Sequence, residues 1–197
     1  MNFDYLKSFP ELQKLYDYCA EAEEFTVRKP GISATAARKA MEYVVKMIYT
    51  SLVGDDGARR NVFEMTTDER FVAYLNDQTL LNTIHYIRKI GNIAVHGGEI
   101  KSQEALKILE ELHFLVGELC ILLGLVEDYP PFVPPSSEAP SPVLPTPPEQ
   151  VAGLLEQPVT VAPEVMAKFG PRMREARFNV LFRRNEEENR RLYLTAS

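Results

Sequence analysis

The stretch Tyr86-Ile-Arg-Lys-Ile-Gly-Asn-Ile-Ala-Val-His96-Gly-Gly98 gathers an arginine, an asparagine and a histidine at the junction of two apolar helical runs. These residue types suit chemistry on an anion. Histidine is a general acid or base near neutral pH, and arginine stabilises a phosphate or a developing negative charge. On a helix, Asn92 and His96 share a face, while Arg88 and His96 lie about 80° apart and about two turns along. A kink at Gly91 would bring all three to one cleft, the combination that metal-independent RNA cleavage needs. A noncatalytic binding cleft uses the same residues. The structural alternative is simpler: Asn92 caps a helix, Gly91 bends it, His96 bonds a backbone carbonyl, and Arg88 pairs with Glu42 or another acid of a neighbouring helix.

Other candidates are weaker. Arg38 and Glu42 have the i,i+4 spacing of a surface ion pair worth a few tenths of a kcal/mol. Arg172, Arg174, Arg177, Arg183 and Arg184 interleave with Phe169, Phe178 and Phe182, a pattern that suits contact with phosphates and stacking on bases. The same arginines would also suit docking against the acidic helical body or against a further domain. Glu99-Ile-Lys101 spells the end of a restriction-type metal site but falls between helices, without the upstream acid such a site needs. His85 and His113 sit in apolar helical pattern and read as core or surface histidines. No Cys/His spacing suits zinc, and no phosphate-binding glycine loop is present. No cofactor is therefore expected in this chain.

The elements that must position these groups are helical. Apolar residues recur at three and four over residues 4–27, with Pro10 in an early turn after Ser8 and Lys29-Pro30-Gly31 as the breaker. A second helix is predicted over 33–52, capped by Ser33, and Gly54-Asp-Asp-Gly57 reads as a turn. Short helical pieces follow at 61–65 and 68–75, with Thr67 as a cap. Asp77 caps a helix from Thr79 to about Lys89, which Gly91-Asn92 would end through positive φ. Ile93-Ala-Val-His96 reads as a further helical turn. Ser102 caps the longest helix, 103–123, and Gly124 ends it. With no strand-like alternation in residues 1–128, this part is expected to be all-α, a bundle of four to five main helices.

Composition then changes. Residues 130–163 carry 11 of the 14 prolines, so 129–163 reads as a proline-rich linker. Residues 164–197 read as a short arginine-rich helical segment. Charge follows the same division. Residues 1–128 hold 14 Lys/Arg and 20 Asp/Glu, net −6; 129–168 hold 1 and 4, net −3; 169–197 hold 7 and 4, net +3. An acidic body argues against wholesale coating of nucleic acid but leaves room for a local contact from the arginine-rich end. Cys19 and Cys120 read as two buried thiols in a reducing compartment. No signal-peptide pattern and no long uncharged apolar run occur, so the cytoplasm is expected and a membrane is not.

Arg88-x-x-Gly-Asn92-x-Ala94-x-His96, together with Ala37-Arg38-Lys-Ala-x-Glu42, resembles an uncharacterised all-helical domain found before bacterial restriction and helicase proteins. That domain is grouped with the HEPN superfamily of nucleotide- and RNA-associated bundles. Catalytic members carry four to six residues between Arg and His, whereas seven separate Arg88 from His96. The resemblance thus implies a binding or scaffolding member, with an RNA-cleaving enzyme and a pure protein-interaction or dimerisation module as the other readings. Asn185-Glu186-x-Glu188-Asn189-Arg190-x-Leu192 is similar to the Ser-Glu-Ala-Glu-Thr-Arg opening of type I restriction-enzyme R subunits, with Asn189 where that family usually has threonine. It implies the N-terminal fragment of such a subunit, partnered by the other subunits of a restriction-modification complex and by DNA or RNA. ATP and Mg would then belong to nuclease and helicase domains further along.

Overall fold

The computed structural model describes residues 1–54, 60–135 and 159–175. Those residues form seven α-helices and no strand, so the expected all-α bundle is what the chain adopts. Two short 3-10 turns, Asp4–Ser8 and Pro10–Leu12, precede α1 (Gln13–Phe25). The apolar periodicity over 4–27 is therefore split, because Pro10 has no N–H to continue a ladder. Then come α2 (Pro30–Val53), α3 (Val62–Thr67), α4 (Glu69–Leu75), α5 (Gln78–Val95), α6 (Ser102–Leu122) and α7 (Pro163–Glu175).

The bundle is built around α2, which packs against α1, α5, α6 and α7. Its sequence explains why. Ala34, Ala36, Ala37 and Ala40 are small enough for close helix approach, while Met41, Tyr43, Val44, Val45, Met47, Ile48 and Tyr49 spread apolar bulk round most of the helix, and all are buried. A helix that is apolar nearly all round belongs at the centre.

Several helix ends differ from expectation. Pro30 does not simply break the chain; it opens α2 at the first helical position, where its missing N–H costs nothing. Ser33 is therefore no cap. It lies buried one turn inside α2, and its hydroxyl donates to the Ala22 carbonyl at 2.7 Å, joining α2 to α1. Thr67 ends α3, and the cap of α4 is Asp68, whose carboxylate accepts from the Arg70 N–H at 3.0 Å. At α6 the cap position is Lys101 rather than Ser102, and Glu104 reaches back to the Lys101 N–H at 2.9 Å.

Packing continues past residue 128. The Asn2 side chain donates to the Val133 carbonyl at 2.9 Å and accepts from the Val133 N–H at 2.7 Å. Val159, Val165, Phe169 and Met173 are buried in the same core as the bundle helices. Lys46 donates to the Val159 carbonyl at 2.7 Å, Tyr74 donates to the Met173 carbonyl, and Lys168 pairs with Glu11. Among the described residues no helix is long and apolar enough to cross a membrane.

Candidate functional site at the crossing of two helices

The Asp77 carboxylate caps α5 by accepting from the Thr79 and Leu80 N–H groups at 2.8 and 3.0 Å. From there α5 runs unbroken to Val95. Gly91-Asn92 does not end it. The left-handed residue is Gly97, at φ 78°, and the Gly98 N–H closes the end by donating to the Ile93 carbonyl at 2.8 Å.

Gly91 has a different reason to be glycine. A Cβ placed there would stand 2.5 Å from the Arg38 Cβ and 3.1 Å from its Cγ and Cδ. The aliphatic stem of Arg38 on α2 thus lies flat across α5 where a side chain is missing. Glycine inside a helix costs about 1 kcal/mol relative to alanine, and close packing of α2 and α5 is what it permits here.

With α5 continuous, Arg88, Asn92, His85 and His96 fall within an arc of roughly 80° of its surface, and Gly91 lies about 60° to one side of Arg88. The arc is not a converged site. Arg88 and His96 are about 12 Å apart along the axis, from eight residues at about 1.5 Å each. The Arg88 guanidinium carbon sits 5.3 Å from the centre of the Phe63 ring on α3, while His96 is exposed at the helix end. Asn92 is half-buried one turn beyond Arg88 and caps nothing. Burial, followed by the charge of Arg88, holds the half-buried His85 below its ordinary value of 6.5.

Glu42 pairs with Lys46, at 3.2 Å, and not with Arg38 or Arg88. No ion pair among the described residues includes either arginine. The Nε atoms of both are buried with no hydrogen-bond acceptor. Of the arginine cluster, Arg172 is exposed on α7 and Arg174 falls within that helix, while Arg177, Arg183 and Arg184 lie outside the described residues.

Two clusters carry more order than the sequence suggested. Asp68 accepts from Arg70 Nε and Nη2 at 2.9 and 2.7 Å and from the Tyr49 hydroxyl at 2.9 Å, with Arg60 at 3.5 Å. These bonds, the Arg70 side chain first, hold its carboxyl well below the usual range. The Asp68-x-Arg70 spacing at a helix start was the available signal. The second cluster surrounds His113, 3% exposed, whose ring lies 5.4 to 6.5 Å from those of Phe3, Tyr5, Tyr129 and Phe132. Tyr5 Oη and His113 Nε2 are both buried without a partner. Burial holds His113 below 6.5 and pushes the nearby Cys120 thiol up to about 12, so neither is a ready nucleophile or base. Cys19 is likewise a buried free thiol.

Among the described residues no group of three or more His, Cys, Asp or Glu side chains could hold a metal ion. Comparison of the chain with protein-family models, with curated proteins and with solved structures finds no match.

Proposed function

We propose that this chain is a noncatalytic accessory module of a type I restriction-modification R subunit, a helical bundle that holds nucleic acid and the other subunits of the complex near a nuclease and an ATP-driven motor. The reading rests on the motif resemblance at residues 37–42, 88–96 and 185–192 and on the all-α architecture. One observation carries its noncatalytic part. Acid–base chemistry on a phosphodiester needs the arginine and the histidine at the same few atoms, and α5 runs unbroken between them, with Arg88 against Phe63 and His96 exposed about two turns on. Exposure of Arg172 on α7 supports a phosphate contact from the arginine-rich end.

The test is a titration of duplex DNA with the chain across ionic strength. The proposal expects weak binding whose logarithm falls linearly with the logarithm of salt, with the slope reduced by about one when Arg172→Gln removes one phosphate contact. Absence of binding at low salt would remove the nucleic-acid role and leave a protein-interaction module.

A further inference from the structure

The crossing of α2 and α5 contains two half-buried arginines that no acid among the described residues neutralises, in a chain with 28 acids against 22 bases. The Nε–H of each is buried without an acceptor, and a buried donor is normally hydrogen-bonded. Glu42, which helical spacing offers to Arg38, is committed to Lys46. Asp68, the acid of the α3–α4 corner, is committed to Arg60 and Arg70.

Both side chains nevertheless pack against neighbouring helices. The Arg38 stem is fixed across Gly91, and the Arg88 guanidinium is fixed over the Phe63 ring. Each is positioned through apolar or ring contacts, and neither enters an ion pair among the described residues. Preorganised charge without a partner is what a site for an external anion requires. Asn92 adds an amide one turn from Arg88 on the same face of α5.

We propose that this crossing binds a dianionic phosphate group through Arg38 and Arg88. Two guanidinium groups balance two negative charges and match phosphate oxygens in a bidentate fork; a single carboxylate would leave one charge uncompensated. The phosphate is therefore a free or terminal monoester, because a backbone diester carries one charge. The site stands apart from the restriction-subunit reading, since it depends only on the bundle.

The experiment uses the whole chain, with Arg38→Met and Arg88→Met, which keep the stems and remove the charge, and Lys89→Met as the charge-matched control. Inorganic phosphate is titrated at low, constant ionic strength, followed by amide chemical shifts and by the melting temperature. Expected are saturable shifts centred on residues 38, 88, 91 and 92 and a phosphate-dependent rise in melting temperature. Each arginine variant should bind at least tenfold more weakly, while Lys89→Met binds as wild type does. In phosphate-free buffer the arginine variants should melt no lower than wild type, because an unpaired half-buried charge has been removed. A loss of stability there would mark the arginines as structural and overturn the proposal. So would the absence of saturable binding, or equal weakening by Lys89→Met.

A further arm compares an oligonucleotide bearing a 5′-phosphate with the same strand lacking it. A phosphate-dependent preference, displaced by inorganic phosphate, makes a strand end the source. Saturable phosphate binding without that preference makes it a small phosphorylated molecule.

Discussion

Replacing Gly91 with alanine sets two known effects against each other. The alanine Cβ would lie 2.5 Å from the Arg38 Cβ, whereas carbon atoms rest at about 3.5–4.0 Å. The obstacle is the first atom of a side chain on a packed helix, so relief requires α2 and α5 to separate by about 1 Å. Overpacking of this kind costs about 1–3 kcal/mol. Alanine in place of glycine returns about 1 kcal/mol of helix propensity. The net expectation is a loss of roughly 0–2 kcal/mol, a fall of up to several degrees at about 2–4 °C per kcal/mol for a chain of this size. A single variant near zero would decide little, so the assay is a double-mutant cycle with Arg38→Gly, read by urea unfolding. Arg38→Gly removes the atom that the introduced methyl group would strike, so the two changes together should destabilise less than their sum, by at least about 1 kcal/mol. If Gly91→Ala instead raises stability by the full propensity gain and shows no coupling to residue 38, then α2 and α5 do not meet there and the reasoning fails.

Further outcomes follow from the collar around His113 and the end of α6. The unfolded chain binds a proton on His113 more readily than the folded one, because burial holds the folded imidazole below 6.5. Stability is therefore full above about pH 6.5 and falls as acid is added, by at most about 1.4 kcal/mol per pH unit for this one group. His113→Phe should shrink that acid-side slope in denaturant titrations, with the remainder left to His85 and, at lower pH, to carboxylates held low such as Asp68, and an unchanged slope would refute the assignment. Gly117→Ala would bring a Cβ to within 2.5–2.6 Å of three Tyr129 ring atoms. It should displace Tyr129 and weaken the Val133 N–H bond to Asn2, so the Val133 amide should exchange faster by hydrogen exchange while the α2 core stays protected.

Local signals read well from the sequence because their partners are close in the chain. Asp77 two residues before Thr79 announces its cap, and the three-and-four spacing of leucines in α6 announces a long helix. Gly91 is open to misreading because a glycine can mark either a left-handed helix end or a close approach of another helix, and only the neighbour on α2 distinguishes them. Arg38 and Lys46 are each four residues from Glu42, so spacing could not choose the partner. The collar of His113 joins residues 3 and 5 to 129 and 132, and no local pattern encodes a contact over that separation. The docking of α7 is written in Val165, Phe169 and Met173, a four-residue repeat half hidden by Pro171 and the surrounding charges. At the candidate site the residue types were legible. Their geometry depended on whether α5 continued past Gly91, and that was set by packing.

The central claim is that Arg88 and His96 do not form a cleavage centre. Its most direct measurement is RNA turnover by the purified chain, beside His96→Ala and Arg88→Met. No turnover above buffer is expected for any of the three, with all remaining folded by circular dichroism. Cleavage by the unsubstituted chain that disappears in His96→Ala would contradict it.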